Sequence, residues 1–164
     1  GGAREDTRAP VFLKEMRMLK GIDPRMTADL LDLLMRMGHG DELVLVDCNY
    51  PAHATAAETV SGQLVELPGF DAPAAIALIC GLMPLDHFVP EGAFWMEEDG
   101  KGAVPAEVHR DALAVLGAEM PEGGAVGSLE RQAFYARART GFGVVRCTET
   151  RAFGCFILRK GVIF

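Results

Sequence analysis

His39 stands in the turn Met37-Gly38-His39-Gly40-Asp41-Glu42, between an amphipathic segment and the apolar run Leu43-Val44-Leu45-Val46, and Asp47 follows that run directly. An imidazole with an ordinary pKa near 6.5 accepts and donates protons at neutral pH, and general acid–base help of this kind is worth roughly 10²- to 10⁴-fold. A carboxylate that ends an apolar strand must find solvent or hydrogen-bond donors, so Asp47 either caps the next turn or accepts from ligand hydroxyls. The spacing predicts that both groups reach one edge of a sheet, where α/β proteins form clefts beyond the carboxyl ends of their strands.

Other chemistries leave weaker traces. His39, Asp41, Asp47 and His53 carry ligand types that suit several divalent ions. Their spacing matches no ligand motif such as H-E-x-x-H, so no metal site is expected. His87 and His109 have no matched partners in sequence and read as structural or exposed. Gly38 and Gly40 precede a strand, and Gly123-Gly124 lacks the lysine and hydroxyl residue of a phosphate loop, which disfavours a nucleotide enzyme. There is no G-x-S-x-G elbow for a serine hydrolase. Arg131, Arg137 and Arg139 lie on one expected helix and read first as a solvated face; Arg131, near its start, can alternatively reach a ligand with several donors in fixed geometry.

These residues need elements to hold them. After Thr27, an N-cap type, Leu30, Leu31, Leu33, Leu34 and Met37 follow helical spacing and Gly38 ends the pattern. The apolar run 43–46 is too short and uniform for a helix face and predicts a strand buried on both sides. A small-residue stretch over 52–59 leads to a short strand at 63–66, then a helix over 73–83 stopped by Pro84. Further strands are expected at 94–96, 144–147 and 155–158, with helices from Pro105 to Gly117 and from Leu129 to Arg139. Alternating strands and helices predict an α/β domain with helices on both faces of its sheet.

Composition bounds the reading further. A chain of 164 residues, 49% hydrophobic, suits one domain with its own core. A net charge of −7 argues against a general electrostatic grip on nucleic acid or on an anionic membrane. Cys48, Cys80, Cys147 and Cys155 form no C-x-x-C pair and are expected as reduced, mostly buried thiols. No apolar run reaches the roughly 18 residues of a membrane span, and the start resembles no secretory signal, so a cytoplasmic protein is expected. Residues 1–17, polar and without an initiator Met, read as an N-terminal extension, in part a cloning remnant, ahead of a folded domain over 18–164.

Met18-Leu19-Lys20-Gly21-Ile22, the run from Leu30 through Gly38-His39-Gly40-Asp41-Glu42, and Asp47 with Pro51-Ala52-His53 resemble the L-fucose mutarotase branch of the sugar mutarotase family that also contains D-ribose pyranase. Arg131-Gln132-Ala133-Phe134-Tyr135 and Leu158-Arg159-Lys160-Gly161-Val162 are similar to that branch too. The resemblance implies a single three-layer α/β/α domain with a mixed, Rossmann-like sheet, assembled into a homo-oligomeric ring, commonly a decamer, with a site for a free monosaccharide at the subunit boundary. It implies interconversion of sugar anomers without cofactor or metal, with His39 catalytic and Asp47 and Arg131 binding the sugar. Where that branch has Tyr-Gly-Asn before the last strand, this chain has Phe153-Gly154-Cys155. Phe153 can stack on an apolar sugar face, Gly154 permits close backbone approach, and Cys155 either meets the sugar or packs in the core. Loss of the phenol and carboxamide leaves three readings open: an L-fucose mutarotase, an enzyme for a less hydroxylated sugar, or a sugar-binding protein without turnover.

Overall fold

The computed structural model describes residues 18–164; the expected N-terminal extension, 1–17, lies outside the described residues. In chain order the elements are α1 (Ala28–Arg36), β1 (Glu42–Val46), α2 (Ala52–Glu58), β2 (Leu64–Leu67), α3 (Ala72–Cys80), β3 (Ala93–Met96), α4 (Glu107–Glu119), β4 (Val126–Leu129), α5 (Arg131–Arg139), β5 (Gly143–Cys147) and β6 (Phe156–Arg159). Helix α1 begins where Thr27 Oγ1 accepts from the Leu30 N–H at 3.2 Å, satisfying one of the donors a helix start leaves over. At its other end Lys160 Nζ donates to the Leu34 and Met37 carbonyls, where a cation also complements the helix dipole.

The six strands lie in the order β2-β5-β1-β6-β3-β4. Strand β6 is antiparallel to both its neighbours, β1 and β3, while every other pairing is parallel. Five strands therefore end at one edge of the sheet, and β6 starts there. Alternation along β1 divides the core. Leu43 and Leu45 pack with Leu30 and Leu33 of α1, Ile76 and Ile79 of α3, and Val108 and Leu116 of α4. Val44 and Val46 face the opposite way, onto Ala52 and Ala56 of α2 and Phe134 and Ala138 of α5. The result is the expected three-layer α/β/α domain with a mixed sheet.

Several local expectations need correction. The stretch over 52–59 contains a helix, α2, whose buried face is made of alanine and threonine, so no pattern of large apolar residues announced it. Strand β4 was missed and Leu129 assigned to the following helix. It is an edge strand paired only to β3, with all four residues partly exposed, so it lacks the apolar alternation of a half-buried strand. Helix α3 ends at Cys80, not Met83, and Pro105 precedes the cap of α4 instead of sitting in its first turn.

Gly92 fixes the loop between α3 and β3. A Cβ there would stand 2.0 Å from the Asp86 carbonyl oxygen, which belongs to backbone and cannot swing aside. Gly92→Ala is expected to destabilise the fold by about 1–3 kcal/mol, the usual range for overpacking. Denaturant unfolding at matched protein concentration checks it, and an unchanged midpoint would mean that the loop moves freely.

Candidate functional site

At the carboxyl edge a hollow of about 150 Å³ is lined by Asp47, Asn49, Tyr50, Met96, Arg131, Tyr135, Ala152, Phe153 and Cys155. Each comes from a strand end or the segment beside it. Asp47 follows β1, Met96 closes β3, Arg131 opens α5 immediately beyond β4, and residues 152–155 lead into β6. Crevices outside strand carboxyl ends are the usual ligand position in open α/β sheets.

Asp47 is buried, and its Oδ1 accepts from the Asn49 N–H at 3.0 Å. Burial pushes its carboxyl above the ordinary range, against smaller opposing contributions from the Asn49 N–H, the Cys155 thiol and the Tyr50 and Gly154 N–H groups. It can accept further donors from a ligand. Arg131 Nε donates to Asp99 Oδ1 at 3.0 Å, and its guanidinium lies 5.8 Å from the Tyr135 ring centroid. Tyr50 packs edge-on against Tyr135 at 5.2 Å, and burial raises its phenol to about 12, so it serves as a neutral donor or acceptor. Cys155 is buried and its thiol is pushed well above the ordinary value by burial and the nearby Asp47 charge. It stays protonated and unreactive. Phe153 lines the hollow from a left-handed backbone conformation, φ 60°. Gly154 does not line it; its N–H supports Asp47, and a Cβ there would meet Glu149 Cγ at 2.7 Å.

His39 is elsewhere. The expectation that His39 and Asp47 reach one edge fails within a chain, because they flank opposite ends of β1 and a five-residue strand spans roughly 16 Å. The four residues weighed and set aside as ion ligands divide likewise, with Asp41 before β1 and His53 on α2 after it. His39 Nε2 lies 3.1 Å from Asp86 Oδ1, and Arg159 Nε donates to Asp86 Oδ2 at 2.9 Å. The Asp86 side chain is fully buried while that of His39 is 46% exposed. Burial works against the charge on Asp86, but bonds from the Phe88 N–H, Arg159 and His39 hold its carboxyl below the ordinary range. An ionised carboxylate only accepts, so Nε2 carries the proton and Nδ1 is left to take one. Phe88 meets the imidazole edge-on at 5.5 Å and is itself 58% exposed.

Asp47, Arg131, Phe153 and Cys155 thus line one hollow, and His39 stands apart with Asp86. Sequence reasoning missed Tyr135, although it lies four residues after Arg131 and such residues share a helix face. Asp86 gave no signal, since only the folded chain brings it from the α3–β3 loop to the β1 turn. Cys48 is exposed, and Cys80, Cys147 and Cys155 are buried, matching the expected pattern. His109 is fully buried. Among the described residues no helix is long and apolar enough to cross a membrane.

The sequence pattern of the RbsD / FucU transport protein family matches residues 20–163. The chain belongs to that family. It is 36% identical to the human protein named fucose mutarotase, an overlap covering 90% of this chain and 96% of the human one. The crystal structure of FucU from Bifidobacterium longum superimposes with a TM-score of 0.79 at 32% identity, covering 88% of this chain and all of that one. The fucose mutarotase from Streptococcus pneumoniae, solved in complex with L-fucose, gives 0.78 at 31% identity, with 89% and 100% covered.

The segment that carries Phe153 is held by Glu149. Its carboxylate accepts from Arg151 Nε, Nη2 and N–H and from the Ala72 N–H. Burial opposes the charge, yet these donors prevail and hold the carboxyl below its ordinary value. A lowered folded pKa gives stability that is present above the unfolded value of about 4.3 and disappears as pH falls through the folded one. Glu149→Gln is therefore expected to cost roughly 1.5–3 kcal/mol at pH 7, the worth of hydrogen bonds to a charged group. Unfolding curves across pH check this, and a deficit that persists undiminished in acid would show that charge is not its cause.

Proposed function

We propose that the chain is a cofactor-independent isomerase that interconverts the anomers of a free monosaccharide, L-fucose or a related sugar. The observation that carries this is a hollow, within the span that matches the family, that joins a buried carboxylate, Asp47, to a guanidinium, Arg131, and a phenol, Tyr135, while Phe153, Met96 and Ala152 offer apolar faces. A pyranose presents hydroxyls around its rim and C–H groups on its faces, and such a lining meets both.

Mutarotation removes a proton from the anomeric hydroxyl and delivers one to the ring oxygen; the ring opens, the carbonyl turns, and closure forms the other anomer. Asp47 and Arg131 hold hydroxyls, and His39 shuttles the proton through Nδ1, with Asp86 fixing the tautomer. Since one chain separates His39 from the hollow, the reading requires a homo-oligomer in which a neighbour's His39 enters this protomer's hollow, and the ring, commonly a decamer, that the resemblance implies is an assembly of that kind. The exposure of His39 and Phe88 supports that placement. A specific feature favours a second reading, binding without turnover: Phe153 and Cys155 bring the hollow no hydroxyl or amide group.

Exchange spectroscopy by NMR on L-fucose, D-ribose and deoxy sugars decides between them. The wild type should accelerate anomer exchange, and His39→Ala should lose about 10²- to 10⁴-fold of that acceleration. Binding with no acceleration by the wild type would establish the second reading. Mixing inactive His39→Ala and Arg131→Ala subunits should restore about a quarter of the sites, because random assembly pairs an intact His39 with an intact neighbouring hollow at that frequency. No recovery after confirmed subunit exchange would place both groups in one protomer and defeat the shared site.

A further inference from the structure

Phe153 is the one non-glycine residue with positive φ among the described residues. A Cβ disfavours the left-handed region, so such a conformation persists only where surroundings over-determine it. Here the surroundings are specific. His109, on the first turn of α4, is fully buried, with its ring 4.5 Å from Trp95 and 6.1 Å from Phe156 between centroids. Its Nδ1 accepts from the Ala106 N–H at 2.9 Å, and its Nε2 lies 2.8 Å from the Phe153 carbonyl oxygen. A nitrogen that accepts from a backbone N–H carries no proton, so the proton of the neutral ring sits on Nε2 and is donated to Phe153. Burial, which lowers the affinity of this imidazole for a second proton, keeps the ring in that neutral form.

The same carbonyl also accepts from the Cys155 N–H at 2.9 Å, closing the turn just before β6. Helix α4 grips the segment a second time through Asp111, whose Oδ2 accepts from Arg151 Nη1 at 2.7 Å. Both side chains that this turn delivers to the hollow, Phe153 and Cys155, depend on where its carbonyl points.

We propose that His109 is a positioning residue of the candidate sugar site: its Nε2–H holds the Phe153 carbonyl and thereby fixes the left-handed turn that sets Phe153 and Cys155 against the ligand. It touches no substrate itself. This rests on the monosaccharide reading for its consequence in catalysis, whereas the mechanical part, that His109 fixes the turn, stands without it.

The test compares His109→Leu, which removes both bonds at similar volume, with His109→Gln, whose amide can donate to Phe153 and accept from Ala106. Two readouts are taken. The first is alkylation of individual thiols by iodoacetamide, resolved by peptide mass spectrometry. Cys155 is expected to react at least about tenfold faster in His109→Leu while Cys80, buried on α3 away from the turn, stays protected, and His109→Gln should resemble the wild type. The second is anomer exchange: His109→Leu should raise KM for the sugar about 10- to 100-fold with a smaller change in kcat, because the wall is misplaced and the proton shuttle is not. Cys155 remaining as protected as Cys80 in a folded His109→Leu protein overturns the proposal, whatever the activity. If no sugar is turned over, the thiol result still decides the mechanical claim, and that failure belongs to the functional reading alone. If His109→Leu does not fold, long-range ¹H–¹⁵N correlation on the wild type decides: a proton on Nε2 supports the proposal, and one on Nδ1 overturns it.

Discussion

A β-strand is close to a rigid rod, and β1 holds His39 and Asp47 at its two ends, roughly 16 Å apart, where no choice of rotamer brings them together. Proton transfer needs heavy atoms within about 2.6–3.2 Å, directly or through one water. In the proposed reaction one protomer therefore supplies two half-sites. The amino edge carries an imidazole whose tautomer is set by a buried, cation-supported carboxylate. The carboxyl edge carries a hollow with hydrogen-bonding groups, but no imidazole. In the proposed chemistry assembly is part of the active site, and subunit contacts control activity as well as stability.

The direction of β6 decides which residues reach the hollow. Parallel strands need long crossovers, and five of the six strands here are parallel. Because β6 runs the other way, the chain leaves β5 and enters β6 at the same edge through residues 148–155 alone. That short link lies beside the ends of β1 and β3, with little freedom to choose its path. It is tied down by Glu149, Arg151 and the Phe153 carbonyl, and the cost of the left-handed residue falls at the point where its side chain faces the hollow.

Much of this was legible in the sequence, and the illegible parts share a cause. Helix α1 declared itself because leucines at helical spacing lie between a threonine cap and a glycine. Strand β1 did so because four consecutive apolar residues between turn signals have few other readings. Helix α2 and strand β4 were invisible because one buries only small side chains and the other half-buries everything, so neither carries the contrast that periodicity measures. Within the site, Asp47 and Arg131 were nameable from type and position, whereas Phe153 and Cys155 were named only through the family resemblance. Their convergence was not readable, since it depends on strand order, and the Asp86–His39 and His109–Phe153 pairs, 47 and 44 residues apart, depend on it too. The false expectation that His39 and Asp47 share an edge came from counting residues without counting the length of strand between them.

Three buried carboxylates show how environment separates structural from ligand-facing roles. Asp86 is bonded by Arg159, and Glu149 by Arg151; in both, donors overcome burial and the carboxyl is held below its ordinary range. Asp47 is also buried, but among the described residues no ion pair reaches it, and its carboxyl is pushed up instead. Among these residues Asp47 is met only by neutral donors, the Asn49, Tyr50 and Gly154 N–H groups and the Cys155 thiol, and these compensate a buried charge less fully than the cations beside Asp86 and Glu149 do. The arrangement makes physical sense when a ligand supplies further donors. Several hydroxyls of one sugar can do so without bringing a charge of their own, which is the kind of partner that a hollow with a polar rim and an aromatic wall is shaped to receive.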